Sequence, residues 1–385
     1  MKDPESVFDA RTLARLDRWR KARSLFLRPD TPEAERALAE ALEKRWLRAQ
    51  VYGRARRVLV DRIPTLLNDL TERIGPAAEY VRVSPEDINQ TKWDAVGNLM
   101  PLRQACGQVR ALWLLDALRS GSFFVEFQPI FDLRTGEPMG FEGLLRARSA
   151  DGTPHLAAEI FPAAAVLGIE LAFERLSWVT VLEAAQRLPA DTMIFLNVNP
   201  QLLVSTDSSL ARLGEEAERM EFPYARLALD LVEIERIESL ERLQQALAVP
   251  HDLGVSIALD NVTSGYGTLK YCSGLAPRWI KVDSEITRNI GRDPQRRAIL
   301  QLLAQVAREA RAGLIAEGIE EGEDLDVCVE EGVFAAQGYF LARPSVDTAE
   351  ASEQFRAWLG SRKGLADPDL PPAPAAGQLE PGSDF

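Results

Sequence analysis

From about residue 121 onward, the sequence alternates short apolar runs with longer amphipathic segments, and this pattern constrains the fold more than any other feature. The runs are MIFLNV (193–198), LALDLV (227–232), VSIALD (255–260), RWIKVD (278–283), LIAEG (314–318) and FAAQGYF (334–340). Segments such as LAFERLSWVTVLEAAQRL and RRAILQLLAQVAREARA lie between them. Strand–helix repetition is typical of a parallel sheet. The number of strands approaches that of a closed (β/α)₈ barrel, so we predict an α/β fold of this type.

The stretch from Phe123 to Arg146 adds a predicted β-hairpin before these repeats. Its first half alternates apolar and polar residues, a turn with a glycine follows, and a second apolar run ends near Leu145. Glu142 lies inside that second run, where a carboxylate is costly unless a positive group meets it. A metal ion or a guanidinium could supply this positive charge. On this stretch alone, a plain buried pair of Glu142 with Arg146 explains the pattern equally well.

Polar residues occur at or near the ends of the predicted strands. They are Glu142, Asn197, Asp230, Asp260, Lys281, Glu317 and Gln337. The carboxyl ends of the strands of a parallel barrel meet at one mouth, so seven such residues indicate one site there. The alternative, unrelated polar strand ends on separate loops, is less favoured by their number.

The histidine and cysteine content limits which metal such a site could hold. The only two histidines are His155 and His251, and the three cysteines lie far apart without a ligand pattern. A metal here would therefore have oxygen ligands, which suits Mg²⁺, Mn²⁺ or Ca²⁺. Unpaired cysteines predict a reduced, cytosolic chain. The sequence also shows no apolar run of signal-peptide or membrane-spanning length.

The charge is distributed unevenly along the chain. Residues 1–120 hold 22 of the 45 Lys and Arg residues and 17 of the 58 Asp and Glu residues, so the remainder is strongly acidic. An acidic body argues against a long nucleic-acid groove. It remains compatible with a small phosphate ligand bridged by metal ions.

Residues 1–118 are predicted to be an all-helical domain. Apolar residues recur there at helical spacing, and two segments have the composition of helix starts, Thr31-Pro32-Glu33 and Ser84-Pro85-Glu86-Asp87. The helix after Thr31 is expected to run through Trp46 and Val51. The arginines of this region could contact an anionic partner, but solvated helix faces are the favoured interpretation.

These patterns divide the chain into three parts. They are a helical regulatory or dimerisation domain (1–118), a barrel (119–362) and a proline-rich tail (363–385) that is predicted to be disordered.

The chain from about 121 to 345 resembles the EAL family of cyclic di-GMP phosphodiesterases. The motifs that carry the resemblance are FQPIFDLRTGEPMGFEGLLR, LNVN, LDLVE, ALDNVTSGYGTL, IKVD, AEGIE and QGYF, in the order and at the spacing of the family. The resemblance implies a modified (β/α)₈ barrel whose first strand runs against the others. It also implies divalent metal ions, Mg²⁺ or Mn²⁺, at the mouth, where a water opens the ring of cyclic di-GMP.

The resemblance assigns expected roles to individual positions. The metal ligands are expected to be Glu142, Asn197, Asp230, Asp260 and Asn261. Lys281 matches the lysine that holds the attacking water, and Glu317 matches a carboxylate beside it. Glu320 and Gln337 match supporting residues, Glu233 matches a carboxylate that steadies the loop after Asp260, and Gln128 and Arg146 match contacts to the dinucleotide.

The departures from the family pattern cluster near the second metal. Gly143 changes the middle residue of the name-giving tripeptide, Asp230 stands for glutamate, and Asn261 stands for the second aspartate of a pair. Thr263 replaces a glycine whose backbone angles threonine reaches poorly. In the stretch IFPAAAVLG (160–168), Ala165 stands for a glutamate of the family.

Three functions remain open at this point. We favour a protein that binds a metal and cyclic di-GMP with weak or lost hydrolysis. An active phosphodiesterase is the runner-up, because asparagine still offers an oxygen ligand. The third is a non-catalytic scaffold for proteins. We also expect a homodimer in which the N-terminal region restrains the barrel or binds a partner protein, although a rigid cap over the barrel is the simpler alternative.

Overall fold

The computed structural model describes residues 10–45, 47–86, 99–205, 209–263, 265–347 and 350–361. The strands are β1 (Ser24–Pro29), β2 (Ala49–Tyr52), β3 (Ala55–Leu59), β4 (Val81–Glu86), β5 (Met100–Pro101), β6 (Phe123–Asp132), β7 (Pro138–Arg148), β8 (Pro154–Leu156), β9 (Met193–Val198), β10 (Leu227–Leu231), β11 (Ser256–Val262), β12 (Trp279–Val282), β13 (Gly313–Ala316) and β14 (Ala335–Ala336). The helices are Ala10–Lys21, Pro32–Lys44, Ile63–Ile74, Leu102–Arg110, Trp113–Ser120, Ala157–Leu167, Glu170–Ala185, Pro200–Ser205, Ser209–Arg219, Leu240–Asp252, Gly265–Leu275, Ser284–Thr287, Pro294–Glu309, Gly322–Glu330 and Glu353–Ser361.

The chain forms two compact units. The first comprises Met1–Phe123 together with Arg146–Phe173, and the second comprises Phe124–Leu145 together with Glu174–Phe385. Among the described residues, every helix is too short or too polar to cross a membrane. The tail that the sequence predicts to be disordered lies outside the described residues.

The first unit contains a β-sheet, so the prediction of an all-helical N-terminal domain is wrong. In its described part, five strands form an antiparallel sheet in the order β2-β3-β1-β4-β5. Helix Pro32–Lys44 connects β1 to β2, and helix Ile63–Ile74 connects β3 to β4. This is the β-α-β-β-α-β connectivity of ferredoxin-like folds.

The errors in this region have identifiable causes. The apolar run of β1 is buried at five of its six positions, and such a short run cannot be distinguished from a helix by periodicity. Thr31 caps the next helix as predicted, with its hydroxyl accepting from Ala34 N at 3.1 Å, but the helix ends at Lys44. Gly53, with a φ of 61°, then turns the chain between β2 and β3. Ser84 and Pro85 lie in β4 rather than at a helix start.

The predicted barrel is confirmed. In the described residues, β7 and β9 to β14 form a run of parallel neighbours, and β6 pairs antiparallel with β14 and also pairs with β7. Eight strands therefore close into a ring whose first strand runs against the others. The short β8 pairs with the end of β7.

A layer of apolar side chains fills the barrel interior just below the predicted site. Its members on β9 to β14 include Phe195, Ala228, Ala258, Trp279, Ile315 and Ala335. Residues two apart in a strand point to the same side, so the residue two positions later on each strand faces the same interior, nearer the mouth. Those residues are Asn197, Asp230, Asp260, Lys281, Glu317 and Gln337. The polar site therefore lies directly on an apolar floor.

Candidate active site

The centre of the site is the buried side chain of Lys281. Its Nζ lies 2.6 Å from Asp230 Oδ2, 2.8 Å from Glu317 Oε1, 3.2 Å from Asp260 Oδ1 and 3.3 Å from Glu142 Oε2. Strands β7, β10 and β11 and the residue that follows β13 supply one carboxylate each, and β12 supplies the ammonium group. With every group ionised, these five side chains carry a net charge of −3, which is unfavourable in a buried site unless further positive charge binds.

Two amide side chains complete this group, which we call the Lys281 cluster: Glu142, Asn197, Asp230, Asp260, Lys281, Glu317 and Gln337. Asn197 Nδ2 donates to Glu142 Oε1 at 2.9 Å. Gln337 Nε2 donates to Glu142 Oε2 at 2.8 Å and to Glu317 Oε1 at 2.9 Å. Burial alone would raise the pKa of Glu142, but Lys281 and the two amides stabilise its charged form and lower its pKa. Glu142 is therefore the carboxylate of the cluster that is held in its charged form.

The other three carboxylates behave in the opposite way. Burial raises the pKa of Asp230 and Glu317 well above their usual values and raises the pKa of Asp260, and Lys281 only partly offsets this. Repulsion between neighbouring carboxylates adds to the effect. Burial would lower the pKa of Lys281, but the surrounding carboxylates raise it well above its usual value. Lys281 thus stays protonated, and the cluster retains capacity for more positive charge.

The donor set fits a hard divalent cation in chemistry and charge. Asp230 Oδ1 and Gln337 Oε1 are buried without a hydrogen-bond partner, which is uncommon for such atoms, and Asp260 Oδ1 has an ion contact with Lys281 at 3.2 Å but no hydrogen bond. Carboxylate and amide oxygens are the ligands that Mg²⁺ and Mn²⁺ prefer. As the side chains stand, they converge on Lys281. No three acidic, histidine or cysteine side chains of the described ranges, these included, are arranged around a position for a metal ion.

Asn261 covers one oxygen of Asp260. The pairing of β11 with β12 shifts register between Leu259 and Val262, which places Asp260 and Asn261 in an irregular stretch that can redirect their side chains. Asn261 is exposed, has a φ of 55° and donates its Nδ2 to Asp260 Oδ2 at 2.6 Å. Thr263 is not among the described residues with positive φ, so the left-handed position of this loop is Asn261.

The remaining predicted residues lie apart from this cluster or at its side. Glu320 is exposed and pairs with Arg288 at 2.6 Å, and Glu233 is exposed and pairs with Arg236 at 2.7 Å. Gln128 is half-buried on β6, and Arg146 is buried on β7, four residues after Glu142. The structure thus brings eight of the predicted side chains together and leaves Glu320 and Glu233 at the surface.

Sequence reasoning missed Glu174, a buried carboxylate beside the site. Only 3% of Glu174 is exposed, and Glu174 Oε1 accepts a hydrogen bond from Asn199 N at 2.6 Å. Burial raises the pKa of Glu174 to about 8, although the hydrogen bond from Asn199 opposes this. Its signal in the sequence was a charged residue four positions before Trp178, on the apolar face of helix Glu170–Ala185.

Glu174 gives a prediction for the pH dependence of stability. A carboxyl group whose pKa is raised in the folded state binds its proton more tightly when folded, so its stabilising effect is full below its usual pKa and is lost as the pH rises through about 8. We expect the free energy of unfolding to fall as the pH rises from 5 to 8. The total fall is at most about 1.4 kcal/mol for each unit by which the pKa of Glu174 in the folded state exceeds its pKa in the unfolded state. Glu174→Gln should flatten this slope, measured by urea unfolding across the pH range.

The control for this experiment is Glu183→Gln on the same helix. Glu183 is 37% exposed and lies 4.0 Å from Arg219, so this change should leave the slope as it is in the native protein. Asp230, Asp260 and Glu317 contribute in the same direction as Glu174, so some slope should persist in Glu174→Gln. An unchanged slope in Glu174→Gln would show that this carboxyl group does not titrate as the structure indicates.

Comparison with known proteins gives a family match over the barrel. The model of the EAL domain matches residues 111–344. A cyclic di-GMP phosphodiesterase of Pseudomonas aeruginosa is 29% identical over 271 residues, which is 67% of this chain and 44% of that protein. The probable cyclic di-GMP phosphodiesterase PdeG of Escherichia coli is 27% identical over 239 residues, which is 60% of this chain and 46% of that protein. The chain therefore spans less than half the length of these curated relatives.

Solved structures share the barrel fold. The phosphodiesterase PaMucR in complex with cyclic di-GMP is similar with a TM-score of 0.57 and 21% identity, over 61% of this chain and 97% of that one. The Bacillus subtilis protein YkuI, which has an EAL domain and was solved with cyclic di-GMP and calcium, has a TM-score of 0.56 and 24% identity, over 64% of this chain and 63% of that one. At these identities the likeness concerns the fold.

Proposed function

Because this chain belongs to the EAL domain family, we propose that the carboxylate cluster around Lys281 binds a divalent metal ion together with cyclic di-GMP, and that hydrolysis there is weak or lost. The observation that carries this proposal is the combination of a retained acidic cluster with an Asn261 amide on Asp260 Oδ2 at 2.6 Å. The retained cluster favours metal binding. The amide on a ligand oxygen disfavours full catalytic competence.

The ligands for Mg²⁺ or Mn²⁺ would be Glu142, Asn197, Asp230 and Asp260, with Asn261 at the edge of the site. A bound cation would neutralise charge on the phosphate and act as a Lewis acid. Asp230 Oδ1 is a buried carboxylate oxygen without a hydrogen-bond partner, and Asp260 Oδ1 contacts Lys281 at 3.2 Å without a hydrogen bond, so both oxygens could take this role. Because Mg²⁺ demands stricter octahedral geometry than Mn²⁺, the altered ligand set should favour Mn²⁺.

In the proposed reaction, a water oxygen forms a bond to one phosphorus of cyclic di-GMP and the bond from that phosphorus to a ribose oxygen breaks. The ring opens to the linear dinucleotide, and the proton released by water is finally carried by the leaving hydroxyl or by solvent. Lys281 stays protonated, so it orients the water rather than accepting its proton. Glu317 is the carboxylate whose raised pKa suits proton transfer, and Gln337 holds it in place at 2.9 Å.

Two positions account for weak turnover. Asp230 is one methylene shorter than glutamate, and its carboxylate is fully buried against Lys281 at 2.6 Å. Asn261 adds a hydrogen-bond donor where a second carboxylate would add a charge. Both changes lower the affinity for a cation without removing the remaining ligands, so binding should persist better than hydrolysis.

An active phosphodiesterase is the second candidate. The observation in its favour is that Glu142, Lys281, Glu317 and Gln337 form one continuous set of contacts between 2.8 and 3.3 Å. Calorimetry with cyclic di-GMP, with and without Mg²⁺ or Mn²⁺, tests binding. Chromatography for the linear dinucleotide then separates receptor from enzyme. An absence of binding under all conditions would overturn both candidates and leave a protein scaffold.

Arg146 gives a prediction for the nucleotide. Its planar guanidinium suits a phosphate, and it is buried four residues beyond Glu142 on the same strand. We expect Arg146→Ala to weaken binding of cyclic di-GMP by roughly 1–3 kcal/mol, the scale of a charge-assisted hydrogen bond. The affinity of Arg146→Lys should lie between those of the native protein and Arg146→Ala, because lysine keeps the positive charge but lacks the planar guanidinium that can donate two hydrogen bonds to a phosphate. Calorimetry gives both values.

The matched control for this series is Arg356→Ala. Arg356 is 54% exposed on helix Glu353–Ser361, and its loss should leave the affinity unchanged. If Arg146→Ala binds cyclic di-GMP as tightly as the native protein does, the nucleotide binds elsewhere.

For the N-terminal part we propose a role in regulation and dimerisation. Residues 10–45, 47–86 and 99–120 supply none of the side chains of the Lys281 cluster, and they are net positive in a chain whose remainder is acidic. Opposite charges favour association within the chain or between its copies. Hydrogen exchange with and without cyclic di-GMP tests this. If cyclic di-GMP changes hydrogen exchange only at the barrel mouth, the N-terminal residues are a rigid cap and have no regulatory role.

A further inference from the structure

Helix Glu170–Ala185 presents three buried side chains to the barrel on one face. Glu174, Trp178 and Val181 occupy positions i, i+4 and i+7, which lie on the same side of an α-helix. They are 3%, 1% and 2% exposed. All three contact residues within two positions of a member of the Lys281 cluster, on or just after its strand, so this helix supports the site from outside the barrel.

Glu174 and Trp178 fix the backbone around Asn197. Trp178 Nε1 donates to the carbonyl oxygen of Asn197 at 3.3 Å. Two residues later, Asn199 N donates to Glu174 Oε1 at 2.6 Å. Because both contacts go to the backbone, they determine where β9 ends and therefore where the Asn197 side chain begins.

Val181 sets how closely the helix approaches β7. A Cβ atom built on Gly143 would lie 2.4 Å from Val181 Cγ1 and 3.2 Å from Val181 Cγ2, and contacts under 3.0 Å do not occur without movement. The backbone at Gly143 has no positive φ, so glycine is required there for space rather than for its conformation. Gly143 directly follows Glu142, so any shift of β7 at this point moves Glu142.

We propose that Gly143 and Val181 are a matched pair that sets the spacing between β7 and helix Glu170–Ala185, and that this spacing keeps Glu142 and Asn197 in contact. Val181 is thus a positioning residue. The contact it protects is that of Asn197 Nδ2 with Glu142 Oε1 at 2.9 Å. The inference rests on the proposed function, because it concerns two of the proposed metal ligands. It explains why this chain has glycine in the middle of the tripeptide Glu142-Gly143-Leu144.

The test is a set of three variants: Gly143→Ala, Val181→Ala and the double variant. Gly143→Ala should push β7 from the helix and weaken Mn²⁺ binding roughly 10–100-fold, the range for lost support of a metal ligand. In the double variant the smaller side chain at 181 makes room for the new methyl group, so Mn²⁺ affinity should return close to that of the native protein. Electron paramagnetic resonance of free Mn²⁺ measures the affinity without reference to activity.

Hydrogen exchange supplies a readout that does not depend on a metal. Gly143→Ala should speed exchange in the peptide that contains Asn199, whose amide is bonded to Glu174, and the double variant should restore its protection. The controls are Gly360→Ala, where an added Cβ meets nothing within 4 Å, and Val249→Ala, where the side chain is 65% exposed. Both should match the native protein in exchange and in Mn²⁺ affinity.

The outcomes separate the inference from the proposed function. If the native protein binds no Mn²⁺, the proposed function fails, and the exchange data alone decide whether the pair sets the spacing. If the native protein binds Mn²⁺ and Gly143→Ala binds it equally well, the inference is overturned. If Gly143→Ala does not fold, the double variant must fold and bind Mn²⁺, and a double variant as impaired as Gly143→Ala also overturns it.

Discussion

The double change Asn261→Asp with Asp230→Glu is expected to raise the turnover of cyclic di-GMP roughly 10–100-fold, the scale of changes at groups that support a metal ligand. Asn261→Asp removes the amide that donates to Asp260 Oδ2 at 2.6 Å and adds a negative charge at the mouth. Asp230→Glu extends a buried carboxylate by one methylene towards the centre of the site. Both changes strengthen the attraction for a divalent cation, and turnover is measured as linear dinucleotide formed with Mg²⁺ and with Mn²⁺.

The gain should be larger with Mg²⁺ than with Mn²⁺, because Mg²⁺ tolerates distorted ligand geometry less well. Asn289→Asp is the matched control, since Asn289 is an exposed asparagine with a φ of 58°, close to the 55° of Asn261, and lies outside the Lys281 cluster. It should leave turnover unchanged. Brisk turnover by the native protein in Mg²⁺ alone, with no gain in the double variant, would establish the active phosphodiesterase instead.

The replacement Lys281→Met is expected to abolish hydrolysis and to lower the free energy of unfolding by about 3–5 kcal/mol, the usual cost of removing one partner from a buried ion pair. The ammonium lies within 3.3 Å of four carboxylates, and methionine leaves them facing one another. The loss should be larger at pH 8 than at pH 6, because protonation relieves the repulsion at the lower pH. Urea unfolding at both pH values gives the size of the effect.

Added Mn²⁺ should recover part of this stability by binding only the folded state. Lys44→Met is the control, since Lys44 is 59% exposed and its pair with Glu40 at 2.6 Å is a surface contact of small effect. If Lys281→Met were as stable as the native protein at pH 8, the carboxylates would have to be protonated in the native fold. The interpretation of these side chains as ionised carboxylates around a protonated Lys281 would then be wrong.

The barrel and the convergence of polar side chains at its mouth were predictable because their signals are local. Each apolar run is short, each carries a polar residue at or near its end, and β9 to β13 occur within a few residues of their predicted positions. The last run yields only the two-residue strand Ala335–Ala336, yet Gln337 still reaches Glu142 and Glu317. On each of these strands, the polar residue near the mouth follows an apolar interior residue by two positions, and this spacing is visible in the sequence.

The N-terminal sheet was not predictable in the same way. Strand β1 is buried by neighbours that are distant in sequence, since Leu25 pairs with Val58 on one side and with Pro85 on the other. Its residues therefore lack the alternation of a half-buried strand, and nearby helices suggested a continuous helical region. Long-range pairing decided the outcome.

By itself, the sequence determined which residue types stand at the carboxyl ends of the strands, because parallel strands bring those ends to one mouth whatever the details of packing. Only the tertiary structure decided how the side chains meet there. The position of Lys281 between four carboxylates, the Asn261 amide on Asp260 and the close approach of Gly143 to Val181 depend on register, on an irregularity in β11 and on a helix placed by packing. Such distances of a few ångströms result from contacts between residues far apart in the chain, which a local pattern does not specify.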